Sequence, residues 1–461
     1  MHARFIDVHA ELSDAPVGRT HVRLGILLAL LTLFDGYDTF NPAYVIHYVQ
    51  GPWNLSLEQV GMLISSGLVG FLIGAAVHGA IADRIGRRTT LIAGLWITTI
   101  FSILTAAAAD SFASFCTLRV LTGLGLGVLL PLSTTYINEL APIRVANKFA
   151  LWGVALGWAA GGAAAGLVGV FVTPHTGWQG LYWIGSCSLF LLPFLHRYLP
   201  ESPKFALLRG RHDEVKAILT KLRPERADVY RDRQILPPPP VPTTSVLALL
   251  TRPYRQLSIA IWATSFLSLF CIFGLSGWIP TLMQARGESF GASFGFGALM
   301  QIMSFIGGLV CGHLVDLTGR ARGWLCAWSL GGAIAVLSLV FFHQHWINLV
   351  CSAMAGFCII GGQFVLNNFT AASYETEMRA TAVGMELAVG RLGAILGPFI
   401  GGTLQQVFGG HEIMLVAIAL AATGAAVCVL FARRTTSGQS GVYAGRTDDP
   451  TTVATGVTPG G

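Results

Sequence analysis

Long apolar runs alternate with shorter polar ones along almost the whole chain. Twelve runs are long enough to form helices crossing a hydrocarbon core about 30 Å thick. They cover roughly 22–46, 56–80, 90–109, 112–138, 147–171, 178–199, 254–281, 291–315, 322–342, 346–372, 380–406 and 410–432, and are numbered spans 1 to 12. A few of these spans carry charge in their interior. The stretch LLALLTLFDGYDTFNPAYVI in span 1 holds Asp35 and Asp38, while Arg119 lies in span 4 and Glu386 and Arg391 in span 11. An ionised group at mid-membrane costs at least about 2.5–3.5 kcal/mol, so each of these needs a partner or a water-filled pathway.

Composition agrees with the pattern. The 461 residues are 53% hydrophobic and 11% charged, whereas soluble chains carry about 25% charged residues. The fold class expected is therefore an all-α polytopic membrane protein of 12 transmembrane helices embedded in a lipid bilayer. The 55 glycines suit close helix packing. All eight cysteines fall within spans and form no C-x-x-C pair, so neither a disulfide framework nor a metal site is expected. His343 and His345 make an H-x-H that reads as solvated. Residues 1–21 lack a cleavable leader pattern, which makes span 1 the expected insertion signal.

The formal net charge of +6 is a topology signal, not a nucleic-acid footprint. Apart from Arg119, Arg391 and Arg286, the other 26 of the 29 Lys and Arg lie in the termini, at span ends or in even-numbered connections. The positive-inside rule then places both termini in the cytoplasm. Neither G-x-x-x-x-G-K-[ST] nor H-E-x-x-H occurs, and GLGLG at 123–127 is packing glycine inside an apolar helix. No cofactor and no enzymatic activity are expected.

The two halves echo each other. GAIADRIGRR (79–88) follows span 2 and GHLVDLTGRARG (312–323) follows span 8, with Gly79/Gly312, Asp83/Asp316, Gly86/Gly319 and Arg87/Arg320 all offset by 233 positions. Duplicated six-span units are the arrangement in which one half rocks against the other. The division expected is a cytoplasmic N-terminus (1–21), a six-helix half (22–199), a cytoplasmic linker (200–253), a second half (254–432) and a disordered tail (433–461). The linker, with its PPPPVP run, reads as a solvated spacer.

These motifs resemble a known family. The G-x-x-x-D-R-x-G-R-R loop, its weaker copy, Arg119 opening RVLTGLGLG and PESPK (200–204) are similar to signatures of the major facilitator superfamily. DGYD in span 1, YETEMRATAVG (374–384) and GRLGAILGPFIGG (390–402) more narrowly resemble the aromatic acid:proton symporters. That resemblance implies a monomeric secondary transporter in the inner membrane, importing an organic, aromatic carboxylate with a proton by alternating access. It also implies that Asp35 and Asp38 are both needed for transport and links Arg119 to proton coupling. A porter for a non-aromatic carboxylate, sialate or sugar is the alternative, and a membrane-bound sensor or enzyme a remote one.

The residues themselves allow a division of labour. Asp35 and Asp38, three apart, are neighbours on one helix face, and two carboxyls in a poorly hydrated site can hold a proton. The bland reading is that one of them only pairs with Arg119. Arg391 can hold a carboxylate bidentately. Glu386, about 140° round the same helix, is badly placed to neutralise it. Gln363 and Asn367 share a face of span 10 and, with Arg391 and Glu386, complete the candidate substrate site. Asp83, Arg84, Arg87 and Arg88, with Asp316 and Arg320, are candidate gating charges that tie the halves together on one side of the membrane.

Overall fold

The computed structural model describes residues 5–433 except 143, 147, 148, 150 and 237–244, so the proline run and almost all of the expected tail lie outside the described residues. Helices occupy all twelve apolar runs. Ten are single helices long and apolar enough to cross a membrane, running from Leu57–Ile85 to Glu412–Phe431. The other two runs are broken. Span 1 is Arg19–Phe40 followed by Pro42–Val49, because Asn41 closes the first helix and Pro42 opens the second. Span 6 is Gln179–Gly185, a 3₁₀ stretch Ser186–Leu191 and Leu192–Tyr198.

Side chains at the helix ends account for several boundaries. Ser56 caps span 2 in a reciprocal box with Gln59, and Ser111 and Ser289 cap spans 4 and 8. Span 2 turns into span 3 through Gly86 at φ +100°, a conformation that excludes most side chains. Spans 5 and 10 each contain a π-helical turn, Leu151–Ala155 and Gly356–Ile360.

Helices of spans 1–6 meet those of spans 7–12 mainly on the side opposite the chain termini. There Tyr44 packs edge-on to Phe294 at 4.9 Å, His47 meets Gln284 at 2.6 Å, and the backbone of Leu57 donates to Gln406 at 3.1 Å. Midway, Ser65 on span 2 donates to the Ile395 carbonyl on span 11 at 2.7 Å. Nearer the termini, a Cβ added at Gly79 of span 2 or Gly384 of span 11 would find nothing within 4 Å.

The N-terminal segment and the linker form one folded unit, a correction to the solvated spacer expected. Strand β1 (Phe5–Ile6) pairs in parallel with β2 (Gln234–Ile235). Helices Val8–Ser13 and His212–Leu222 bury Val8, Leu12, Val215, Ile218, Leu219 and Leu222 in a core continuous with that of spans 1–6. Glu11 binds Arg223 and Arg226, each at 2.9 Å, and accepts from the Tyr230 hydroxyl. Burial and this acceptor push the Tyr230 hydroxyl up, so it remains a donor at neutral pH. The amphipathic spacing of 212–222 serves this core.

Candidate functional site

Span 1 presents its two acids differently. Asp38 is fully engaged: Arg119 reaches it at 2.6 Å and its backbone carbonyl at 2.9 Å, while Ser102 on span 3 donates to the second carboxylate oxygen at 2.8 Å. The bland reading of the Arg119 pair therefore describes Asp38. Asp35 is equally buried, yet neither of its oxygens has a hydrogen-bond partner. A buried carboxyl left in that condition is costly unless it carries a proton or meets a ligand.

Arg391 belongs to the other set of helices and lies near enough to Asp35 for the two charges to interact. Its guanidinium lies 3.8 Å from the centre of the Phe71 ring on span 2 and 5.9 Å from that of Phe273. No carboxylate lies within 4 Å of it among the described residues, Glu386 included, in keeping with the poor intrahelical geometry. A cation held on ring faces keeps its donors available for a planar anion. Phe273 stacks on Phe40 at 6.0 Å, and Trp158 touches both Phe40 and Phe364, so aromatic faces surround this layer from both halves. Trp278, by contrast, donates to the Pro398 carbonyl and serves packing.

Gln363 and Asn367 do meet, at 2.8 Å, and both reach Glu386 rather than Arg391. Glu386 is sealed between spans 7, 10 and 11, where Ser265 donates to it at 3.0 Å.

The expected gating charges assemble on one half only. Arg87 pairs with Glu139 at 3.0 Å and approaches Asp83 at 3.9 Å, and Arg88 donates to the His196 carbonyl. Arg209 donates to the Arg84 carbonyl. Glu201, from PESPK, accepts the backbone N–H groups of Arg87 and Arg88 at 2.9 and 3.0 Å, as suits a carboxylate at a helix N-terminus. Asp316 and Arg320 are exposed. His345 binds Glu288 at 2.8 Å rather than standing free, and the described residues contain no group that could hold a metal.

Three polar residues escaped the sequence reading. Glu139 anchors Arg87 from the end of span 4, while Asn41 and Gln301 are buried with unpartnered amide atoms. The Asn-Pro pair breaking span 1 was a usable signal for the second. Glu139 and Gln301 gave none, since one polar residue in a helix does not disclose what it faces.

Comparison with known proteins identifies the family. The model of the Major Facilitator Superfamily matches residues 26–327 and 298–456. The gallate transporter of Pseudomonas putida is 32% identical over 428 residues, covering 92% of this chain and 94% of that protein. The 4-hydroxybenzoate transporter PcaK of Pseudomonas aeruginosa is 30% identical over 440 residues, covering 92% and 95%. The niacin transporter NiaP of Acinetobacter baylyi is 28% identical over 440 residues, covering 92% and 97%. Among solved structures, the xylose transporter XylE from E. coli, in a partially occluded inward-open conformation, superposes with TM-score 0.71 at 19% identity over 91% of this chain and 99% of that one. A bacterial homologue of the lysosomal transporter Spinster gives 0.72 at 17% identity over 92% and 99%. The chain belongs to the major facilitator superfamily, as a multi-pass inner-membrane transporter and not an enzyme, and its relatives include carriers of aromatic acids.

Proposed function

We propose that this protein imports a small aromatic carboxylate together with a proton by alternating access. One observation carries the reading: Arg391 and Asp35, from opposite halves and within electrostatic reach of each other, are a cation without an ion-paired acid among the described residues and an acid without a hydrogen bond. Ionised Asp35 competes for the field of Arg391. A proton on Asp35 removes that competition and leaves the guanidinium to a substrate carboxylate, with Phe40, Phe71, Phe273 and Trp158 offering faces to its ring. Anion and proton therefore bind together or not at all. Asp38 and Arg119 position this face of span 1, Gln363 and Asn367 border it, and the charges at 83–88, 316 and 320 bias which side is open.

Basic residues concentrate on the side bearing the termini, which places that side in the cytoplasm under the positive-inside rule. Contacts between the halves on the other side, with open space at Gly79 and Gly384 on this one, suit release inside. Moving a lone anion into a negative interior costs about 2.3 kcal/mol per 100 mV, and a co-transported proton cancels that cost. A sugar porter would share PESPK but has no use for an unpaired arginine.

The test is uptake of labelled gallate, 4-hydroxybenzoate, nicotinate and xylose into proteoliposomes under an imposed pH gradient. One or more of the acids accumulates when the outside is acidic, and xylose does not. Asp35→Asn accumulates less substrate than the parent while retaining exchange of internal for external substrate, and Arg391→Ala raises KM by roughly tenfold or more. Uptake indifferent to the pH gradient rules out symport.

A further inference from the structure

Glu386 occupies a second polar pocket, apart from the Asp35–Arg391 layer. It is fully buried on span 11. Ser265 of span 7 donates to Oε1 at 3.0 Å and Gln363 of span 10 at 3.2 Å. Thr370 lies beside the carboxyl, yet its hydroxyl hydrogen goes to the Leu366 carbonyl at 3.0 Å. No cation comes within 4 Å from span 2, 7, 10 or 12 among the described residues. Arg391, on the same helix, is turned towards Phe71. The Tyr374 hydroxyl feels the charge of Glu386 but binds Ser258.

The pocket is short of hydrogens. Glu386 Oε2 and Gln363 Oε1 are both buried acceptors without a donor. A proton on Glu386 supplies the missing donor, since a protonated carboxyl gives one O–H and keeps acceptor capacity. The Asn367 amide is poised to follow either state. One of its terminal atoms lies 2.8 Å from Gln363 Nε2 and 3.0 Å from Glu386 Oε1. With oxygen there, it accepts from Gln363 and from a protonated Glu386; with nitrogen there, it donates to the ionised form once the Gln363 amide turns its oxygen towards it. Asn367 is partly exposed, so this amide is also a polar route between the sealed carboxyl and solvent.

We propose that Glu386 is a second proton-binding site, filled on the outer side and emptied on the inner side in each transport cycle. In every turnover H⁺ converts the Glu386 carboxylate to the acid before the halves rock, and the acid dissociates inside, so no bond other than O–H is made or broken. This rests on the symport reading above and extends it: a monoanion entering with a proton on Asp35 and another on Glu386 carries one net positive charge inward. Membrane voltage then drives uptake alongside the pH gradient. At 100 mV, negative inside, one net charge multiplies the attainable accumulation by roughly fiftyfold.

Two measurements test the site. In the first, purified parent protein in vesicles is taken through a pH jump and its infrared difference spectrum recorded without substrate. The protonated-carboxyl C=O band attributed to Glu386 disappears in Glu386→Gln, persists at a shifted position in Glu386→Asp, and is unaffected by Asp35→Asn. In the second, gallate uptake by each variant is measured at a fixed pH gradient with and without an imposed potassium-diffusion potential. The parent is stimulated by negative-inside voltage; the ratio of uptake with and without voltage falls to one in Glu386→Gln and stays above one in Glu386→Asp. An unchanged infrared difference spectrum in Glu386→Gln, or voltage stimulation equal to the parent's, overturns the proposal. Failure of gallate, 4-hydroxybenzoate and nicotinate uptake alike to respond to the pH gradient in the parent refutes the symport reading instead, and the infrared arm, needing no transport, still decides Glu386.

Discussion

Two aspartates three residues apart behave oppositely when their neighbours are removed. Asp38 neutralises Arg119, itself 1% exposed, so Asp38→Asn leaves an uncompensated buried cation. Loss of one member of such a pair costs about 3–5 kcal/mol, and the variant melts well below the parent in detergent. Asp35→Asn removes a group with no partner and substitutes one of the same size. It melts at or above the parent temperature while accumulating less substrate, a combination that separates a functional carboxyl from a structural one. The sequence announces both acids by their intrusion into an apolar run, but not which is free. That depends on Arg119 and Ser102, supplied by spans 4 and 3 through tertiary packing that has no local signature. The same blindness applies to Glu386, whose separation from Arg391 was readable from helix geometry but whose partners Ser265, Gln363 and Asn367 were not.

Helices are where pattern reading succeeds most fully. Twenty apolar residues must satisfy their own backbone in lipid, so each run became helical. The breaks in spans 1 and 6 depend on subtler balances, a proline after Asn41 in one and 3₁₀ geometry in the other. Contacts between helices also rest on single small residues. A Cβ at Gly61 of span 2 would lie 2.6 Å from the Pro398 carbonyl of span 11, backbone that cannot swing aside. Gly61→Val therefore wedges the closed side apart. Cysteines placed near that end, for instance at Leu57, gain reactivity towards a membrane-impermeant thiol reagent added outside, and uptake falls while the melting temperature changes little. Unchanged labelling would show that the spans 2–11 contact does not hold the side shut.

On the scale of the whole molecule, the unit made from the chain's beginning and its middle was the least legible part. Its strands are only two residues long, its helices short and highly charged, and its core exists only when both segments meet. Glu11 is the polar hub, gathering Arg223, Arg226 and Tyr230. Glu11→Ala strands these groups and loosens the unit by about 1–3 kcal/mol, less for the more exposed Arg226. Hydrogen exchange at 5–13 and 212–235 rises together, while exchange in spans 7–12 is unaltered.

That pairing of Phe5–Ile6 with Gln234–Ile235 also orders events during biosynthesis. The opening residues emerge from the ribosome first but have nothing to join until the stretch beyond span 6 has been made. The strand pair, and with it the unit beside the first six helices, can therefore close only after span 6 has been made.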